Sequence, residues 1–209
     1  MKITKLEKIS AKKDTFKVFF DGGENILLAA DIIVKCGLNT GVEISAETYK
    51  EVLAADKTYR VVFDALTLVG RRSYSGKSLY EKLLQKGYDD DNSKAAVARL
   101  LELGYVNDEK YALSYAKYLS DKGKGELAVR KELEEKGISK DLINKALSSL
   151  KTQEEPYEQI IKTIKSKFKN FNANNAGEAR RAANYFLRRG FSSEDISKAF
   201  RNYSDNDDN

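Results

Sequence analysis

Along FKVFF, residues 16–20, Phe16, Val18 and Phe20 alternate, and the turn-forming Asp21-Gly22-Gly23 follows at once. That pattern predicts a strand closed by a tight turn. Ile3, Leu6 and Ile9 do not alternate cleanly, whereas ENILLAAD, residues 24–31, extends as a further strand. AADIIVKCGLNTG then predicts a short helix ending at Gly37, because a residue without Cβ takes the left-handed cap most easily. Ser45 stands as the N-cap of SAETYKEVL. From about Thr58 onward the apolar spacing becomes helical and stays so.

One phrase recurs in the helical part. LYEKLLQKGY begins at Leu79, VRKELEEKGI at Val129 and AANYFLRRGF at Ala182. Their glycines, Gly87, Gly137 and Gly190, lie 50 and 53 residues apart. After the last two the match continues, pairing Ser139 with Ser192, Ile143 with Ile196, Lys145 with Lys198 and Ala146 with Ala199. In the first copy Ala96 and Val97 take the places of Ala146 and Leu147. A fixed period of this length is the signature of a tandem array with one supersecondary unit per copy.

Each copy resolves into three helices. The glycine ends the middle one, and Tyr88, Ile138 or Phe191 folds back onto it. The third helix of the second copy carries the stripe Leu142, Ile143, Ala146, Leu147, Leu150. First helices are expected over TYRVVFDALTLVG, DEKYALSYAKYLS and EPYEQIIKTIKSKF, with Pro156 at a position that a helix start tolerates. The predicted fold is mainly α: a small N-terminal β-containing region over residues 1–55, then three-helix repeats over 56–105, 106–152 and 153–203. Stacked repeats are expected to form an elongated, curved array, with residues 204–209 as a frayed acidic tail.

Composition narrows the function. Among 209 residues, 37 Lys and Arg face 32 Asp and Glu, a formal charge of +5 with a pI near 9.0. That balance suits a polyanionic partner such as nucleic acid, although mild basicity also occurs without one. The absence of histidine removes the commonest general base and metal ligand. Cys36, the single cysteine, allows no internal disulfide and no zinc site, has no imidazole to activate it, and is expected as a small apolar side chain in a core. MKITKLEKIS is no signal peptide, and no apolar run approaches the roughly 20 residues that span a bilayer. A cytoplasmic protein is expected, with no catalytic residue, metal or cofactor and no membrane partner.

VGRRSYSGKSL, residues 69–79, ends in Gly-Lys-Ser and raises the possibility of a phosphate-binding loop. Such a loop needs four residues between its first glycine and the Gly-Lys pair; here Gly70 and Gly76 enclose five. No later apolar strand ends in an acid that could hold magnesium. The segment therefore reads as a basic helix–helix connection.

Cations gather at the turn before each middle helix. The first turn carries Arg71, Arg72 and Lys77 with no acid among them. The second carries Lys122, Lys124, Arg130 and Lys131 against Asp121 and Glu126. From Lys162 to Arg189 stand Lys162, Lys165, Lys167, Lys169, Arg180, Arg181, Arg188 and Arg189, against Glu178 alone. Lysines and arginines so placed can touch phosphates along one edge by releasing counterions, without reading sequence. For the first two turns, solvated faces explain the charge equally well; the third favours anion binding. Phe168 and Tyr185 are expected in the core rather than as base-stacking platforms.

Taken in order, FKVFFDGG, IIVKCGLNTG, RRSYSGKSLYEKLLQKGY, RLLELGYVNDEKYA, KGELAVRKELEEKGI and the third glycine motif resemble the RecX family, bacterial regulators of the RecA recombinase. The resemblance covers nearly the whole chain. It departs near Tyr74, where that family usually has a proline. It implies a non-enzymatic, monomeric modulator that binds the RecA filament on single-stranded DNA, with duplex DNA as a further ligand. Such proteins inhibit filament growth, ATP hydrolysis and strand exchange in recombinational repair and the SOS response. It transfers no site residues. The alternative is a sequence-independent, DNA-binding architectural protein that does not act on RecA.

Overall fold

The structure is a computed structural model that describes residues 1–10, 14–151, 154–168 and 171–207. Its chain divides into two compact units, Met1–Ser73 with Leu79–Val106, and Tyr74–Ser78 with Asn107–Asn209.

The first unit opens with an antiparallel meander of β1 (Ile3–Ser10), β2 (Thr15–Phe20) and β3 (Asn25–Ala29). β2 and β3 pair in unbroken register, while β1 shifts between Ile3 and Lys5 and again between Lys8 and Ser10. Those shifts are why the apolar residues of β1 do not alternate. Val18 and Phe20 face inward and are covered by Leu28, by Ile32 and Ile33 of helix α1 (Ala30–Lys35), and by Leu38 and Val52. Gly37 adopts the left-handed conformation expected of it, at φ 62°. Cys36 does not join the core: it is the C-cap of α1 and is exposed, because Ile32, Ile33 and Leu38 already supply the inward face there.

Helix α2 runs unbroken over Ala46–Val69, with the Ser45 hydroxyl accepting from Thr48 N at 3.0 Å. The boundary expected at residues 55 and 56 thus falls inside one helix. No breaker interrupts it there, and Asp56 is tied to the sheet. The buried Asp56 carboxylate accepts from Ala29 N at 2.7 Å and from Arg60 Nε at 2.5 Å, and the Arg60 guanidinium also reaches Leu27 O at 3.3 Å. A buried carboxylate needs such partners to offset its desolvation.

Three repeats follow: α2 with α3 (Gly76–Gln85) and α4 (Asp90–Glu102); α5 (Asp108–Asp121), α6 (Glu126–Glu135) and α7 (Lys140–Lys151); α8 (Pro156–Lys167), α9 (Ala176–Arg188) and α10 (Ser193–Asp207). Equivalent positions bury equivalent side chains. Leu83, Leu133 and Phe186, each four residues before its glycine, are fully buried, as are Leu79 and Ala182, with Val129 nearly so. Ala96, Ala146 and Ala199 line the third helices. Ser93 occupies the slot of Ile143 and Ile196, and its buried hydroxyl has no partner among the described residues.

Each middle helix ends alike. Gly87, Gly137 and Gly190 have φ of 92°, 76° and 83°. The next residue donates back, Tyr88 N to Leu83 O at 3.3 Å, Ile138 N to Leu133 O at 3.1 Å and Phe191 N to Phe186 O at 3.2 Å. This double-bonded C-terminal turn satisfies carbonyls the helix would otherwise leave open. Pro156 is the first residue of α8, where its missing N–H is harmless. α10 continues to Asp207, so residues 204–207, expected to fray, are helical.

Candidate nucleic-acid interface

The three basic turns are built differently. At the first, α2 ends at Gly70 and leaves Arg71 and Arg72 exposed. Beyond them the chain enters the second unit. Ser75 is buried there, its hydroxyl donating to Lys136 O at 2.8 Å and accepting from Ser78 N at 3.2 Å. Gly76 N donates to Asp108 Oδ1 at 2.8 Å. Two of the N–H groups that a bound phosphate would draw on, those of Gly76 and Ser78, are therefore already taken by a carboxylate and a serine. Lys77 is committed as well: its ammonium donates to Glu135 O at 3.1 Å. Its stem lies so close to Gly137 that a Cβ there would come within 2.7 Å of Lys77 Cβ. The segment YSGKS, residues 74–78, is a turn that caps the end of α6.

At the second turn, the Lys122 ammonium lies 5.7 Å from the centre of the Tyr118 ring. Lys124 stands 3.9 Å from Glu132. Arg130 reaches Glu126 at 3.3 Å and Asn144 at 2.9 Å, and Lys151 reaches Glu126 at 2.8 Å. Burial raises the Glu126 carboxyl, but its bonds to Lys151 and Arg130 outweigh that and hold it below the usual carboxylate range. Lys131 is exposed and free of ion pairs among the described residues.

The third turn closes against the second. Gly125 N donates to Arg189 O at 2.8 Å and Leu127 N to Gly190 O at 3.0 Å, so the open end of α9 caps the open start of α6. The Arg189 guanidinium donates to Lys122 O at 3.0 Å and Gly123 O at 3.2 Å, and lies over the Tyr185 ring at 4.7 Å. Arg189 is a structural cap for α5. Lys162 pairs with Glu154 at 2.5 Å, and Lys167 donates to the Tyr185 hydroxyl at 3.3 Å.

Lys165, Arg180, Arg181 and Arg188 remain: all are exposed, and none has an ion pair among the described residues. Lys169 lies outside the described residues. Arg181, Tyr185 and Arg188 follow at i, i+4 and i+7, one face of α9. Arg181 and Lys167 also flank a cleft of about 300 Å3 whose other walls are Phe168, Phe171 and Glu178. Glu178, the one acid of this stretch, is drawn off by Asn172 N at 2.9 Å. Phe168 and Tyr185 meet edge to face at 5.4 Å and sit in a cluster with Phe171 and Phe186, as core residues do. Of the cations singled out in the sequence, Lys165, Arg180, Arg181 and Arg188 thus stay exposed and without ion pairs among the described residues, whereas Lys77, Arg130 and Arg189 bond to other groups of the protein.

Sequence reasoning passed over a second aromatic–cation group. On β2, the Phe19 ring has Lys17 at 5.1 Å and Lys5 at 5.6 Å from its centre. The alternation that flagged Phe16, Val18 and Phe20 also places Lys17 and Phe19 on the opposite face, and that signal was present in the sequence. Among the described residues no three His, Cys, Asp or Glu side chains gather as a metal site, and no helix is long and apolar enough to cross a membrane.

Comparison with known proteins fits this architecture. Family models for the first, second and third three-helix domains of RecX match residues 64–100, 107–147 and 153–200. A protein of Caldanaerobacter subterraneus named regulatory protein RecX is 30% identical over 199 residues, 95% of this chain and 98% of its own. One of the same name from Clostridium botulinum is 32% identical over 162 residues, 77% of this chain and 75% of its own. A crystal structure of regulatory protein RecX superimposes with a TM-score of 0.74 at 21% identity, covering 95% of this chain and 98% of that one. RecX from Lactobacillus salivarius gives 0.63 at 22% identity, covering 72% and 98%.

Proposed function

Because the chain belongs to the RecX family, we propose that it regulates the RecA recombinase by binding along the filament RecA forms on single-stranded DNA. It thereby restrains filament growth, ATP hydrolysis and strand exchange. The observation that carries the DNA half of this reading is the group of exposed, unpaired cations on the third repeat, Lys165, Arg180, Arg181 and Arg188. These groups are free of ion pairs among the described residues, whereas Lys77 and Arg189 donate to backbone carbonyls of the protein itself and Arg130 pairs with Glu126.

Contacts of this kind act by displacing counterions from phosphates, and they read no base sequence. A filament presents the same surface at every subunit, so several weak contacts on one tandem-repeat chain multiply through their effective concentration. No bond is made or broken.

The test is a titration into a RecA ATPase assay carried out with single-stranded DNA in excess. Inhibition that persists when more DNA is added, at far less than one molecule per DNA site, is the expected result. Relief by added DNA would instead identify a sequence-independent DNA-binding architectural protein.

A further inference from the structure

The solvent face of the N-terminal sheet carries a grouping that the three repeats do not need. Register places Lys5, Phe19 and Asn25 opposite one another across β1, β2 and β3, and places Glu7, Lys17 and Leu27 in the next row. Directly opposed residues of antiparallel strands share a face, and strands lie about 4.8 Å apart, so these six side chains form one small patch. They lie opposite the inward Phe16, Val18 and Phe20, and neither Phe19 nor Leu27 belongs to the core cluster of the unit. Leu27 is 52% exposed. Two ammonium groups converge on the Phe19 ring, Lys17 at 5.1 Å and Lys5 at 5.6 Å.

We propose that this face is a second binding platform for single-stranded nucleic acid, with a base stacked at Phe19 and phosphates held by Lys5 and Lys17. The occupant follows from the chemistry. An aromatic ring on a sheet surface is a stacking site that any base can use. The lysines above it are mobile cations that can slide from the ring to a phosphate at little cost, since an exposed cation–π contact is worth only about 0.5–1 kcal/mol. Asn25 beside the ring offers an amide to a base edge, and Leu27 extends the apolar floor. Glu7 is held by Lys5 at 3.0 Å, and a phosphate oxygen would take its place at that ammonium. With Lys5 and Lys17 against Glu7, the patch keeps one positive charge in excess. The proposal rests on the single-strand half of the proposed function, and it does not require that RecA be the protein partner.

The experiment measures binding of a labelled oligothymidylate to the full chain by fluorescence anisotropy. The variants are Phe19→Leu and the pair Lys5→Gln with Lys17→Gln, each also placed on an Arg180, Arg181 and Arg188→Ala background. The leucine keeps an apolar side chain on the face and removes only the stacking surface, and unchanged thermal melting excludes unfolding as the cause. Phe19→Leu should weaken binding about five-fold or more. The lysine pair should lower the log–log salt slope by up to about 0.7 per lost phosphate contact. Ultraviolet crosslinking of the wild-type complex should place oligonucleotide on the peptide containing Phe19. Loss of binding here stands even if the RecA ATPase is unaffected by the protein. Wild-type affinity and slope in both variants, with crosslinks confined to the third repeat, would overturn the proposal. So would variants that bind DNA normally but no longer inhibit RecA, for then the face docks protein.

Discussion

Gly190 and Gly123 lie in the same unit and have nearly the same backbone, φ 83° and 72°, yet replacing each with alanine should have different consequences. An L-residue in the left-handed region costs about 1–2 kcal/mol, and both variants incur that. At Gly123 the new Cβ meets only the terminal Nη1 of Arg189, at 3.1 Å, which a flexible side chain can yield. At Gly190 it would lie 2.4 Å from Ala128 N and 2.6 Å from Ala128 Cβ. Carbon atoms settle at about 3.5–4.0 Å, so α6 must move back by roughly 1 Å. Overpacking of this kind costs about 1–3 kcal/mol. The retreat also pulls on the bonds from Gly125 N to Arg189 O and from Leu127 N to Gly190 O, each worth about 1 kcal/mol net. Gly190→Ala should therefore lose about 3–6 kcal/mol against about 1–2 for Gly123→Ala. Urea unfolding followed by circular dichroism resolves the gap, since at about 1–3 kcal/mol per molar urea a difference of about 2–4 kcal/mol separates the midpoints by roughly 0.7 M or more. Equal losses would mean that α6 and α9 do not meet through a backbone contact that only glycine permits, and the account of the repeat 2–repeat 3 junction would fail.

Replacing Arg180, Arg181 and Arg188 with alanine should flatten the salt dependence of single-strand binding by up to about 2 in log–log slope while leaving stability unchanged; fluorescence anisotropy at several salt concentrations measures it. Arg189→Ala should instead lower the melting temperature, because it strips a cap from two carbonyls of the α5 terminus, and scanning calorimetry checks this. Burial, then a hydrogen bond to Asp64, pushes the Tyr88 phenol up to about 12, and burial with Glu132 does the same for Tyr115. A raised phenol favours the folded state in its neutral form, so this stability is full below pH 10 and is lost as the pH rises through about 12. The double variant Tyr88→Phe, Tyr115→Phe should show a shallower alkaline decline in urea unfolding than the wild type; an identical decline would refute the assignment.

How much of this was legible beforehand depends on how far apart the interacting residues lie in the chain. Helix ends were readable because their signals are local: Ser45 caps its own third neighbour, Pro156 starts its own helix, and Gly137 turns the residue that follows it. The exposure of Cys36 and the continuity of α2 through Asp56 were not, since both depend on which neighbouring residues already fill the core. The candidate cations divide in the same way. Arg189 is consumed by carbonyls 66 and 67 positions away, and Lys77 by one 58 positions away, so a local count of charges cannot tell them from Arg181 or Arg188.

By itself, the order of residues determined that a small β-containing head precedes three copies of one helical unit, because hydrophobic period, caps and glycines act within a turn or two of chain. It also determined that the third copy is basic from Lys162 to Arg189. Which of those charges face outward, and that Gly125, Gly137 and Gly190 serve as contact points as well as turns, was decided only when the repeats came together. Backbone groups left open at one helix end must find partners, and here they find them in the neighbouring repeat. That requirement, satisfied across long separations in sequence, selects which cations are left without a partner among the described residues.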